Sequence, residues 1–305
     1  MRLTQHLCLV AATVVGASAL SVVGLAAPAQ ARVADPGVSC LTPTPGPAAE
    51  ARGGASGVDH APVSASEQRA IARRTNGRLA AKGAPGVSGS SAAVAASVPV
   101  YVHVMRDAAG NGDVTNRQIT RQIAVLNSDF SDTSYSFDLV GIDRYNNSTW
   151  HKDRQSATYR AQTRKGGADA LNIWLVDFKY LGIATFPWDY AKHGEIDGIR
   201  VHYDSLPGGS ITNFNLGGTA THEAGHWLGL YHTFQGGCTE LNDEVEDTPA
   251  QSSPTSGCPE GRDSCPLPGL DPIHNYMDYS WDSCYTEFTQ GQDARMDQMW
   301  AAYRG

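Results

Sequence analysis

The chain has 305 residues, enough for one or two domains with a sizeable core, and 41% hydrophobic content against 18% charged excludes a wholly disordered polypeptide. A formal net charge of −8 leaves no basic footprint for nucleic acid. The charge is uneven: 8 basic and 4 acidic residues precede Ser97, whereas 15 basic and 27 acidic residues follow, so a mildly basic front leads an acidic body suited to solubility and to calcium.

In chain order, Arg2 and the apolar run 7–27 are followed by Ala29-Gln30-Ala31, the small-x-small pattern of a signal peptidase site. Residues 1–31 therefore read as a signal peptide. No second apolar run of membrane-spanning length follows, so the expectation is a secreted, extracellular protein with no membrane attachment after signal removal. Export permits disulfides. Of the six cysteines, Cys8 leaves with the signal; Cys238, Cys258, Cys265 and Cys284 cluster late, and Cys40 stands alone upstream. That distribution suggests two bridges and one free thiol.

Residues 32–97 are rich in Ala, Gly, Pro and Ser, with Pro43, Pro45 and Pro47 breaking regular structure, and read as a propeptide or flexible linker. Within them, residues 64–81 have the composition of one helix. Residues 98–305 form the remaining domain. VPVYVHVM at 98–105 is its first strand. Asn111-Gly112 marks a turn and Thr115 an N-cap, after which Ile119, Ile123, Leu126 and Phe130 recur at helical spacing to about residue 131. Residues 137–142, the strongly apolar 170–178 and 198–203 read as strands, 219–231 as a helix, 235–272 as loop-rich, and 290–303 as a closing helix. Strand, helix, several strands, helix and an irregular stapled part make an α+β domain. GIATFP at 182–187 is the candidate rim strand for an extended ligand.

The chemistry concentrates in HEAGHWLGLYH at 222–232. Helical residues four apart lie on one face, so His222 and His226 aim two imidazoles at one point. Gly229 can take the positive φ that ends the helix and turns the chain, bringing His232 back as a third ligand. Three neutral histidines with an open fourth position suit catalytic zinc. Glu223 sits beside the metal without ligating it, where it can take a proton from the attacking water.

This is the extended zinc motif of the metzincins, and the sequence resembles that clan. Met277, in HNYMDY, fits its methionine turn beneath the metal, and the resemblance implies that Tyr279 lies near the metal and donates a hydrogen bond to the oxyanion. The closer resemblance is to the pappalysin family, over about residues 98–303. It rests on THEAGHWLGLYHTFQGGC, DTPAQ, CPEGRDSC, NYMDYSWDSC and the final helix. The resemblance implies a metzincin-like catalytic domain, a twisted mixed sheet with its active-site helix above a loop-rich, disulfide-stapled C-terminal subdomain.

Four clustered cysteines allow three pairings, and the resemblance implies Cys238–Cys265 with Cys258–Cys284. It also implies a calcium ion (Ca2+) in the acidic loop LNDEVEDT, held by Asp243 and the Thr248 carbonyl. Bacterial members cut before Arg with a pocket acid preceding the last cysteine; Ser283 holds that place here, with Asp282 one residue earlier. Cys40 is a candidate for latency, its thiolate filling the fourth zinc position until the front is removed by a cut between residues 73 and 98. The expectation is thus a secreted, zinc-dependent (Zn2+) endopeptidase made as a zymogen. Its expected partners are protein or peptide substrates, and it is expected to act as a monomer. The alternative is a non-catalytic, zinc-stabilised binding module.

Overall fold

The computed structural model describes residues 62–83 and 96–305, which belong to one compact unit, Pro43–Gly305. The signal peptide and Cys40 lie outside the described residues.

Helix α1 (Ala65–Ala81) is capped by Ser64, whose hydroxyl accepts from the Glu67 amide. Strand β1 (Ala96–Arg106) follows. Helix α2 (Asn116–Asp129) opens with a capping box between Thr115 and Gln118 and buries Ile119, Ile123 and Leu126. Then come β2 (Tyr135–Asn146), α3 (Ser156–Thr163), β3 (Leu171–Val176), β4 (Gly182–Ala184), β5 (Ile199–His202), the short helix α4 (Gly218–Trp227) and α5 (Gln290–Tyr303).

The five described strands form one sheet in the order β2-β1-β3-β5-β4. β1 pairs parallel with β2 and β3, and β3 pairs parallel with β5. Among these strands β4 alone runs antiparallel, against β5, and it forms an outer edge. The six residues of β3 are all buried, as a near-continuous apolar run in a two-faced parallel strand should be. On one face, β1, β3 and β5 pack with α2, α4 and Met277 in the main core. On the other, Met105, Tyr159, Trp174 and Val176 form a smaller cluster that holds α3.

Most expected elements stand where the pattern placed them. Two differ. The active-site helix ends at Trp227 instead of running to 231, because Gly229 adopts φ +105° and reverses the chain. α3 escaped the sequence reading because its buried face is built from Tyr159, Arg160 and Thr163, not from an aliphatic stripe.

Beyond β5 and α4 regular structure is sparse. Residues 228–289 are held by the disulfides Cys238–Cys265 and Cys258–Cys284, the pairing the resemblance implied. Buried polar side chains do the rest. Gln251 Nε2 donates to the Ser253 carbonyl and to Thr255 and Asp278, and Thr233 donates to Gln251 Oε1. Arg262 pairs with buried Asp271 at 2.7 Å.

α1 is not free of the domain. Ile71 and Leu79 pack with Met299, Ala302 and Tyr303 of α5, with Trp188 at the border. The hydroxyls of Thr75 and Tyr303 hydrogen-bond at 3.0 Å, and Gln68 Nε2 donates to the Asn242 carbonyl.

Candidate metal centre

His222 and His226 stand one turn apart on α4 and His232 follows the Gly229 reversal; all three are buried. Their ligand atoms lie within 4.8 Å of one another, and His226 Nε2 and His232 Nε2 are 3.0 Å apart. Two nitrogens on a tetrahedral zinc stand roughly 3.3 Å apart, given Zn–N bonds of about 2.0–2.1 Å.

Tautomers follow from the partners. His222 Nδ1 lies 2.6 Å from the Tyr276 carbonyl and His226 Nδ1 lies 2.8 Å from the Leu230 carbonyl. A carbonyl only accepts, so each Nδ1 carries the proton and each Nε2 presents its lone pair to the shared point. A second cluster, Cys258, His274 and Cys284, is no rival site, since both its cysteines are spent in a disulfide. The His222–His226–His232 set therefore fits a zinc ion.

The helix that carries two of these ligands is fixed at both ends by charges of the stabilising sign. At its N-terminus, Asp282 Oδ2 accepts from the amides of Leu216 (2.9 Å) and Gly218 (3.3 Å). At its C-terminus, Arg304 donates twice to the Trp227 carbonyl (3.0 and 2.8 Å) and lies over the Trp227 ring. Asp197 completes the clamp, pairing with Arg304 at 3.0 Å and accepting from Trp227 Nε1 at 2.9 Å. None of the three was legible as a clamp of α4, because each meets the helix across a long sequence separation.

Beneath α4, Met277 is fully buried, and a Cβ built on Gly225 would fall inside 3.0 Å of its Sδ. The Asp278 amide bonds the Asn275 carbonyl at 3.1 Å, closing a tight turn around Met277. Tyr279, also buried, has its ring 5.0 Å from His232 and 5.6 Å from His222. Phe234 stacks on His232 at 4.5 Å. Phe186 meets His226 edge-on at 5.3 Å and stacks on Trp188 at 4.5 Å.

β4 borders this centre, and Glu223 is buried between them. The acidic loop lies farther along the chain. Asp247 caps α5 through Thr289 and the Gly291 amide, and Glu244 pairs with Arg295 at 2.9 Å. Asp243 is different. It is buried, its Oδ1 accepts from the Val245 amide at 3.1 Å, and burial pushes its carboxyl up to about 8. Asp243 Oδ2 and Thr248 Oγ1 are both buried, and the Thr248 side chain offsets part of the burial at Asp243, while the Thr248 carbonyl accepts from Asn242 Nδ2 at 3.1 Å.

A mixed sheet with an antiparallel edge strand, a three-histidine centre on a helix stopped by glycine, and a buried methionine turn below it define a metalloprotease of the metzincin type. Residues 177–301 match the peptidase family described as pregnancy-associated plasma protein-A. An extracellular metalloprotease of Verticillium alfalfae is 52% identical over 219 residues, covering 68% of this chain and 77% of the relative. One from Neurospora crassa is 48% identical over 233 residues, covering 74% and 81%. Among solved structures, mature mirolysin of Tannerella forsythia in complex with a cleaved peptide is 29% identical, with a TM-score of 0.58, covering 68% of this chain and 91% of that one. Its precursor, promirolysin, is 27% identical, with a TM-score of 0.63, covering 79% and 88%. The chain belongs to the pappalysin family of metalloproteases and is a metalloendopeptidase.

Proposed function

We propose that this chain is a secreted zinc endopeptidase that cleaves extracellular proteins, with His222, His226 and His232 as ligands and Glu223 as general base. The convergence of the three histidine nitrogens, with Glu223 next to His222 on α4 and its carboxylate against β4, carries the reading. Bound zinc would polarise the scissile carbonyl and acidify the attacking water. Glu223 Oε takes the proton from that water and passes it to the leaving amine. The Tyr279 hydroxyl donates to the oxygen that gains charge. The exposed side of β4 offers an extended peptide a strand to pair with.

The relatives' names support export, and no helix among the described residues is long and apolar enough to cross a membrane. In this reading residues 1–31 are the signal, 32–97 the pro-segment and 98–305 the catalytic domain, with Cys40 as the latency thiol. Cutting inside α1 would require melting a docked helix, so the activating cut falls beyond Gly83. Asp243 and the Thr248 carbonyl hold calcium, and protein or peptide substrates are the partners of a monomeric enzyme.

Glu223→Ala tests the base. Zinc content stays at the wild-type level while kcat on casein or a peptide library falls by about 10²–10⁴-fold. Near-normal turnover would overturn the assignment. A wild-type protein that binds zinc but cleaves nothing, with or without a chelator, would favour the binding-module alternative.

A further inference from the structure

β4 is only three residues long, and its burial alternates: Gly182 and Ala184 are buried, while Ile183 is half exposed. Gly182 pairs with Val201 in the antiparallel ladder, and the neighbouring Leu181 carbonyl accepts from the His202 amide at 2.7 Å. β5 therefore fixes the height of this strand. Gly182 is not among the residues with positive φ, so its backbone is one that any residue adopts. Space, not backbone freedom, makes the position small.

The space belongs to one side chain. A Cβ built on Gly182 would fall inside 3.0 Å of Oε1, Cγ and Cδ of Glu223, and these are its three nearest atoms. Real Cβ atoms do not approach so closely, and the strand, tied to β5, has little room to retreat. α4 cannot retreat either, since Asp282 and Arg304 clamp its two ends. The Glu223 carboxylate is the one part of this contact that can move.

We propose that Gly182 is a positioning residue for the general base: its bare Cα opens the slot between β4 and α4 that sets where the Glu223 carboxylate lies. This deepens the reading of Glu223 as the base and rests on it. Any side chain at 182 drives the carboxylate away from the position at which it meets the attacking water. Misplacement of a reacting group by about 1 Å costs on the order of 10²-fold in rate. His222 and His226 are held elsewhere, by the Tyr276 and Leu230 carbonyls, and His232 stacks on Phe234, so metal binding does not depend on the slot.

The test is a cycle of Gly182→Ala, Glu223→Ala and the double variant in the full chain, processed as the wild type is. Metal analysis, peptide kinetics and melting temperature are read for each. In Gly182→Ala, zinc content is unchanged, kcat falls about 10–100-fold and KM moves less than about twofold. The melting-temperature loss caused by Gly182→Ala disappears in the Glu223→Ala background, where the crowded side chain is gone. Wild-type kcat in Gly182→Ala, loss of its zinc, or an equal melting-temperature loss in both backgrounds would overturn the proposal. Should Gly182→Ala be insoluble, a soluble double variant supports it and an insoluble one overturns it. A fully active Glu223→Ala refutes the base itself; an inactive one beside a fully active Gly182→Ala refutes only the slot.

Discussion

The sheet half and the loop half of this protein reach rigidity by different means. Residues 96–202 rest on a mostly parallel ladder over an aliphatic core, Val98, Val100, Val102 and Val104 of β1 facing inward with Ile173 and Leu175 of β3. Residues 228–289 have almost no ladder; two covalent bridges and buried polar groups such as Gln251, Asp271 and Asp278 hold them. Asp278 is buried deeply enough that its carboxyl is pushed up, although the Thr255 and Tyr279 amides donate to it. The metal centre straddles the seam, two ligands on α4 and the third beyond Gly229. A catalytic ion thus needs the alignment of two regions stabilised by unlike forces.

His232→Ala breaks the seam directly. With one ligand lost, zinc affinity falls by more than the roughly 10–100-fold typical of losing a ligand's hydrogen-bond partner, and activity falls with it. Zinc titration by calorimetry measures this, and an unchanged affinity would contradict the three-ligand centre. Removing the 238–265 bridge by a double Cys→Ala change costs roughly 3 kcal/mol in a chain-entropy account. That is a melting-temperature drop of about 6–12 °C for a domain of this size. Limited proteolysis should then cut within 238–272 before it cuts any strand; early cuts in the sheet would erase the distinction between the halves.

The calcium ion proposed for Asp243 sharpens the contrast. Withdrawing it with a calcium-selective chelator, zinc retained, lowers the melting temperature by a few degrees, and Asp243→Asn abolishes that sensitivity. No shift on chelation would count against the ion. The smallest effect lies in the sheet. His103 of β1 is buried against Asn172, and desolvation pulls its pKa below the ordinary value of about 6.5. The unfolded chain binds this proton first, so the stability from His103 is complete above about pH 6.5 and is lost as pH falls through the folded-state pKa. His103→Gln flattens the acid limb of a melting-temperature profile against pH, and an unchanged limb would show that His103 does not carry it.

What the sequence made legible was local. The histidine spacing, the Gly229 stop, the Thr115 cap and the alternation of β1 each act within a few residues, so pattern alone reveals them. The 182–187 segment proved to contain the antiparallel edge strand for the same reason. What stayed hidden acts at a distance. Asp282, Asp197 and Arg304 look like ordinary charged residues until the fold brings them to the ends of α4. The docking of α1 was hidden because its buried face is half polar, Gln68 and Thr75 alternating with Ile71 and Leu79. Even Gly182, read as part of a rim, showed its crowding only against Glu223.

The stack of Trp188 on Phe186 joins two places that chemistry alone would keep apart. One edge of this aromatic pair borders α1, and the other faces His226. Trp188 therefore sits as an indole reporter between α1 and His226, and undocking of α1 would change its share of the emission from the chain's six tryptophans.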